Sequence, residues 1–216
     1  MIPRVKICCI SSVSEALMAI AYGASAVGLV GPMPSGPGVI SDELIAEIAS
    51  KIPPPIASFL LTSKIRVNDI ISHHRKTNTN TIQIVDELKE GSYASLRKAL
   101  PAIRIVQVIH IFGEQSIEYA LRISEEVDAL LLDSGNPFLQ VKELGGTGRI
   151  HNWNISRKIV DQSKVPVFLA GGLNASNVKE AIDKVRPFGL DICSGVRTAG
   201  QLDVRKLEEF FHQVQE

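Results

Sequence analysis

The sequence has few cysteines, and their positions do not suggest a disulfide framework. Its 216 residues include three cysteines, of which Cys8 and Cys9 are adjacent and Cys193 is far away. Neighbouring cysteines make a poor disulfide, so we expect reduced thiols in a cytoplasmic protein. The spacing of cysteines and histidines is not typical of a zinc site, and we expect no metal.

An excess of charge of one sign and long apolar runs are also missing. Lysine plus arginine and aspartate plus glutamate number 23 each, so no basic field indicates a nucleic acid or an anionic membrane as partner. No run approaches about 18 apolar residues, and the first residues lack a signal-peptide pattern. The sequence does not fix the oligomeric state, and we expect a monomer or a homodimer.

What is present is the composition of an ordinary globular protein, with 45% hydrophobic and 21% charged residues. Short apolar runs alternate with stretches of helical periodicity. They predict strands at residues 5–10, 26–30, 56–61, 81–85, 103–111, 129–133, 165–170 and 190–193. Eight strand–helix pairs predict an α/β protein, a single-domain (β/α)8 TIM barrel over residues 1–216. A doubly wound open sheet is the alternative, but it more often has a glycine fingerprint after its first strand.

Three glycine-rich turns follow predicted strands near the end of the chain. They contain Gly145-Gly146-Thr147-Gly148, Ala170-Gly171-Gly172 and Ser194-Gly195-Val196. Glycine lets backbone N–H groups approach an anion closely, so three turns spaced one β/α unit apart predict a composite phosphate site. The alternative is that they are ordinary tight connections. The candidate phosphate ligands are Gly146, Thr147, Gly148, Gly171, Gly172, Ser194 and Gly195.

Two reactive side chains stand at predicted strand ends, where a barrel gathers its catalytic groups. Cys8 lies near the end of the first strand and Asp133 closes the sixth. A thiolate and a carboxylic acid across a pocket can act as base and acid. The alternatives from position alone are that Cys8 is a buried small side chain, as most free cysteines are, and that Asp133 is a helix cap or an ion-pair partner. Strand alternation places Lys6 with Cys8 and turns Cys9 away, so we expect only one thiol in the mouth. His110 ends the fifth strand, within reach of the mouth or in a structural role.

Several motifs together resemble phosphoribosylanthranilate isomerase, a (β/α)8 enzyme family of tryptophan biosynthesis. The family's Lys-Ile-Cys-Gly-Ile-Thr, Leu-Leu-Leu-Asp, Gly-Gly-Thr-Gly-Lys, Leu-Ala-Gly-Gly-Leu-Asn and Asp-x-x-Ser-Gly-Val motifs have counterparts in order along nearly the whole chain. The counterparts are Lys6 to Ser11, Leu130 to Asp133, Gly145 to Arg149 (followed by Trp153), Leu169 to Asn174, and Asp191 to Val196.

The resemblance implies an isomerase that carries out an Amadori rearrangement of a phosphoribosylamine. Cys8 would be the general base and Asp133 the general acid. No metal or organic cofactor would be needed, because the substrate's own iminium accepts the electrons. The partner would be a small phosphosugar substrate, with Lys6, Asp191, Arg149 and His110 as further pocket residues.

The sequence also departs from the family's pattern, mostly where the aromatic acid would bind. Gly38 stands where the family usually has an arginine that holds the anthranilate carboxylate, and Val85-Asp86 replaces His-Gly. Cys9 replaces a glycine, and Arg197 replaces a glutamate. Three hypotheses follow. We favour a phosphoribosylanthranilate isomerase in which Arg149 or Arg197 replaces the missing arginine, because the family's other motifs stand in order. The alternatives are a divergent isomerase acting on another phosphosugar and a non-catalytic barrel that binds a sugar phosphate.

Overall fold

A computed structural model describes residues 2–136, 139–144 and 148–215. In these residues eight parallel strands close into a barrel in chain order, with β1 hydrogen-bonded to both β2 and β8. The strands are β1 Arg4–Ile7, β2 Ala26–Val30, β3 Ala57–Thr62, β4 Thr81–Ile84, β5 Arg104–His110, β6 Ala129–Asp133, β7 Val167–Leu169 and β8 Gly189–Ile192. The predicted barrel is therefore confirmed, and the closing pair excludes an open sheet.

The helices lie between successive strands, and α8 follows the last one. They are α1 Val13–Ala21, α2 Asp42–Lys51, α3 Val67–Thr77, α4 Tyr93–Ala99, α5 Gln115–Ser124, α6 Trp153–Gln162, α7 Val178–Val185 and α8 Val204–Gln215. Local signals position their ends: the Ser12 hydroxyl accepts the Glu15 N–H at 3.1 Å, and Ser41 caps α2 in the same way. No helix in the described part of the chain is long and apolar enough to cross a membrane.

The apolar core has two parts, separated by the sheet. Outward-facing strand residues such as Ile7, Leu29 and Leu132 pack under the helices, while inward-facing residues such as Phe59 and Leu131 fill the barrel. Because each strand is covered on both faces, its sequence is apolar without clean alternation. The filled interior leaves the carboxyl ends of the strands as the site of an open mouth.

The chain after β8 completes this mouth. A short 3-10 turn, Ser194–Val196, follows β8 directly, and a two-stranded hairpin of β9 Arg197–Thr198 and β10 Gln201–Leu202 leads to α8. One face of α8 is apolar and buried, and it consists of Leu207, Phe210, Phe211 and Val214. The hairpin thereby brings Arg197 close to the end of β1.

Candidate active site

One pocket at the carboxyl ends of the strands contains both reactive side chains singled out in the sequence. Cys8, directly after β1, and Asp133, at the end of β6, line it together with Asp191 of β8. Cys8 is 6% exposed and Asp133 is 7% exposed. The pocket therefore brings a thiol and a carboxyl group, both largely buried, from non-adjacent strands to one cavity.

The surroundings of Asp133 favour its protonated form. Burial raises the pKa of Asp133 above its ordinary value, although the Ser134 N–H donates to Oδ1 at 2.7 Å and acts in the opposite direction. The nearby Asp191 carboxylate adds to the increase. A carboxyl group whose pKa is raised in this way is better suited to donating a proton to a bound ligand.

Lys6 lies below the pocket in a buried ion pair. Its side chain is 0% exposed, and Nζ donates to Oδ1 of Asp191 at 2.8 Å. Burial opposes the charged ammonium, but the attraction of Asp191 and of the neighbouring thiols outweighs it and raises the pKa of Lys6. Nζ also lies 5.3 Å from the centre of the Phe59 ring. Lys6 thus holds Asp191 at the pocket, while its own side chain does not line that pocket.

The glycine turns lie against one another at the rim of the same pocket. Gly148, Gly171 and Gly172 have φ values of +68°, +85° and +65°, a region that favours glycine. A Cβ on Gly172 would lie 2.9 Å from the Gly148 carbonyl oxygen, and one on Gly195 would lie 2.1 Å from the Leu173 carbonyl oxygen. Ser194 also lines the pocket. The candidate ligands Gly146 and Thr147 lie outside the described residues.

The prediction that only one of the adjacent thiols enters the mouth is wrong. Cys8 and Cys9 both line the pocket. The prediction assumed strand alternation up to residue 10, but β1 ends at Ile7 and Cys9 has a φ of +61°. This left-handed residue turns its side chain back towards the mouth, where its sulfur lies 2.6 Å from that of Cys193.

Neither arginine that was expected to replace the missing carboxylate ligand lies in the pocket. Arg149 is 58% exposed and pairs with Glu143, although its backbone touches the glycine turns. The Arg197 side chain is buried and pairs with Glu15 at 2.9 Å. Among the described residues that line the pocket, none is an arginine or a lysine.

His110 and Asp86 lie beside the pocket and not in its lining. His110 is opposite Asp133 in the strand register, donates from Nε2 to the Val85 carbonyl at 3.0 Å, and lines a neighbouring cavity. Asp86 lines that cavity too, and its carboxylate pairs with Lys142. The acid that replaces a glycine of the family pattern is therefore accompanied by a compensating cation.

Comparison with known proteins agrees with this geometry. The family model described as N-(5'phosphoribosyl)anthranilate (PRA) isomerase matches residues 5–213. The chain belongs to this family. N-(5'-phosphoribosyl)anthranilate isomerase 2 of Methanosarcina mazei is 36% identical over 97% of this chain and 93% of its own, and the isomerase of Methanocella arvoryzae is 32% identical over 98% and 97%.

Solved structures of PRA isomerases share the fold over nearly the full length. The Thermotoga maritima isomerase is 29% identical with a TM-score of 0.80, covering 99% of this chain and 98% of its own. A PRA isomerase in complex with reduced 1-(o-carboxyphenylamino)-1-deoxyribulose 5-phosphate is 27% identical with a TM-score of 0.78, over the same shares. The barrel and its connectivity are thus those of the PRA isomerase family.

Sequence reasoning missed two further residues of the PRA isomerase pocket in this chain. Gln83 lines the pocket at 3% exposure, and its Oε1 has no hydrogen-bond partner among the described residues. In the sequence, the sign that could have pointed to Gln83 was its position as a polar residue among the apolar residues of β4. Cys193 also lines the pocket, and its thiol pKa is lowered, first by the contact with Cys9 and then, against burial, by Arg197. Only the three-dimensional structure brings Cys193 to Cys9.

Proposed function

We propose that this chain is a phosphoribosylanthranilate isomerase that catalyses the Amadori rearrangement of N-(5'-phosphoribosyl)anthranilate in tryptophan biosynthesis. The observation that supports this most strongly is the single mouth pocket lined by Cys8, Asp133 and the glycine turns. Family membership indicates the identity of the substrate, and the pocket contains side chains suited to acid–base chemistry on it.

The substrate's phosphate would bind at the glycine turns. Within the described residues, the N–H groups of Gly171 and Gly172 donate to no backbone carbonyl, and Ser194 offers a hydroxyl nearby. Free backbone donors in a concave turn are a common phosphate site in barrels. Phosphate at this rim would direct the ribose towards Cys8 and Asp133.

The two proton transfers would then be divided between acid and base. Protonated Asp133 would donate to the furanose ring oxygen as the ring opens to a Schiff base. The Cys8 thiolate would remove the C2′ proton, and the electrons of that C–H bond would move towards the iminium nitrogen to give an enolamine. Tautomerisation of the enolamine would give the aminoketone product. The raised pKa of Asp133 supports its role as the acid.

The anthranilate ring would pack on the side of the pocket away from the glycine turns. Met33, Pro37 and Leu61 give this side an apolar surface, and Gln83 provides an amide. An amide is a neutral partner for the carboxylate, and a neutral hydrogen bond is weaker than a charge-assisted one. We therefore expect weaker recognition of the carboxylate than an arginine would give.

The purified protein tests this proposal directly. Loss of the fluorescence of phosphoribosylanthranilate should depend on enzyme concentration, and the gene should restore growth without tryptophan to a strain lacking the isomerase. Asp133→Asn serves as the matched inactive control. No turnover and no growth from a well-folded protein would refute the assigned substrate.

The lack of a cation at the pocket favours a second candidate, an isomerase of the same chemistry acting on a different phosphosugar. A substrate analogue with aniline in place of anthranilate separates the two. If the carboxylate contributes to binding, the analogue should have a higher KM than the natural compound. Equal kcat/KM for both would favour the second candidate.

We also propose that the enzyme acts in the cytoplasm on a small molecule, as monomer or homodimer. A solved structure of the Thermotoga maritima enzyme is described as monomers generated from a dimeric isomerase, at 26% identity and a TM-score of 0.77. Sedimentation of the purified chain distinguishes the two states.

A further inference from the structure

A buried guanidinium lies directly behind the turn that presents Cys8 to the pocket. Nη2 of Arg197 donates to the backbone carbonyl of Cys9 at 2.6 Å and lies 3.3 Å from that of Cys8. Nη1 donates to the Gly200 carbonyl at 2.9 Å. Nη2 therefore contacts two consecutive backbone carbonyls directly after β1, and Nη1 ties them to the hairpin after β8.

The guanidinium is itself held in a fixed position by Glu15. The Glu15 carboxylate accepts from Nη1 at 2.9 Å and from Nη2 at 3.1 Å. It also accepts the N–H groups of Ser11 and Leu202, each at 2.9 Å. Glu15 is 7% exposed and Arg197 is 9% exposed, so water does not compete strongly for either partner. Both partners are thus fixed before any substrate binds.

The backbone that Arg197 contacts adopts a conformation that needs support. Cys9 has a φ of +61°, which a residue with a Cβ rarely adopts. Such a conformation persists only where the surrounding structure holds it. The bond from Arg197 to the Cys9 carbonyl is the shortest of the guanidinium's contacts and acts on this very residue.

We propose that Arg197 is a positioning residue, which fixes the carbonyls of Cys8 and Cys9 so that the Cys8 thiol is aimed at the substrate's C2′ proton. This inference rests on the proposed function of Cys8. Arg197 itself does not line the pocket, so it acts through the backbone and touches no reacting atom. This positioning role also explains why a buried arginine lies next to the mouth without binding the substrate's carboxylate.

Three variants test the proposal. Arg197→Gln removes the charge and most donors, while Arg197→Lys keeps the charge opposite Glu15 but loses the fork. Arg97→Lys is the matched control, because Arg97 also joins a carboxylate, Asp128 at 3.2 Å, to a carbonyl, Glu126 at 3.2 Å, but next to the start of β6.

A misplaced base should lower kcat and leave phosphate binding intact. We expect Arg197→Gln to lower kcat about 10²-fold with KM changed less than about threefold, since a shift of about 1 Å can cost that much. Arg197→Lys should recover part of the rate, and Arg97→Lys should leave kcat unchanged. Full kcat in folded Arg197→Gln, or an equal loss in Arg97→Lys, would overturn the proposal.

Hydrogen exchange gives a readout that does not depend on turnover. The amides of Cys8 and Ile10 donate to the Ile192 and Gly28 carbonyls at 2.8 and 3.1 Å. In Arg197→Lys the protection of these two amides should fall more than that of amides within the strands. A uniform loss would instead indicate a purely stabilising ion pair and contradict the proposal. If the wild type fails to turn over phosphoribosylanthranilate, the proposed function fails, while the exchange pattern still decides the positioning role.

Discussion

Adding a side chain at position 38 is expected to destabilise the protein, and less so when Cys9 is shortened. Gly38 has a φ of +79°, and a Cβ placed on it would lie 2.4 Å from the Cys9 Cβ and 2.9 Å from the Cys9 Cα. The left-handed conformation costs an L residue about 1–2 kcal/mol, and overpacking costs about 1–3 kcal/mol more. Gly38→Ala should therefore lose about 2–5 kcal/mol of unfolding free energy.

Urea unfolding of four proteins measures how much of that cost comes from Cys9. The set is wild type, Gly38→Ala, Cys9→Gly and the double variant. Removing the Cys9 side chain deletes the 2.4 Å contact, so the double variant should recover about 1–3 kcal/mol relative to the sum of the single changes. Additivity within about 0.5 kcal/mol would show that the Cys9 side chain does not cause the overpacking at position 38.

The same steric argument applies to restoring the family's carboxylate ligand. Gly38→Arg alone should not improve the KM for phosphoribosylanthranilate, because Cys9 occupies the space that its Cβ needs. In a Cys9→Gly background the arginine has more room, and a charge-assisted contact of about 1.5–3 kcal/mol would lower KM about tenfold or more. An equal gain in both backgrounds would show that Cys9 does not obstruct position 38.

Three further predictions concern the pocket's charges and thiols. Lys6→Met should destabilise by about 3–5 kcal/mol, because it leaves the Asp191 carboxylate buried and unpaired, and Asp191→Asn in the same chain should restore much of the loss in urea unfolding. Burial raises the pKa of Asp133 in the native state above its value in the unfolded chain. Between these two pKa values the native state keeps a proton that the unfolded chain releases, so stability falls as pH rises through that interval. Asp133→Asn should therefore raise Tm at pH 7 but not below pH about 3, and an unchanged Tm at pH 7 would contradict this. Hydrogen peroxide should oxidise Cys9 and Cys193 to a disulfide with release of two waters. Their sulfurs lie 2.6 Å apart, close to the disulfide bond length of about 2.05 Å. Peptide mapping that finds Cys8 crosslinked instead would contradict this.

The fold could be predicted because local patterns along the chain agree with it. The strand predictions at 26–30 and 129–133 match β2 and β6 to the residue, the start of β4 also matches, and the remaining boundaries shift by one to three residues. Buried parallel strands give apolar runs whose length is well defined, and Asp133 ends such a run. The adjacency of the glycine turns also followed from topology, since consecutive strands of a barrel are neighbours.

The detailed site could not be predicted because it depends on contacts between distant residues. The turn of Cys9 into the mouth requires its left-handed φ, which pattern reasoning does not reveal. The burial of Arg197 against Glu15 joins residues 182 positions apart, so the sequence left Arg197 available for the substrate. The contact between Cys193 and Cys9 likewise joins residues 184 positions apart, so the sequence did not reveal it. Strand alternation predicts the direction of a side chain only within the strand, and β1 ends before Cys9.

We propose that Cys8 acts as base and Asp133 as acid on phosphoribosylanthranilate. Single-turnover fluorescence of the wild type, Cys8→Ser and Asp133→Asn, each checked for native folding, tests it most directly. We expect turnover by the wild type and a loss of about 10²–10⁴-fold in the chemical step for each variant. Wild-type rates in folded Cys8→Ser, or in folded Asp133→Asn, would contradict it.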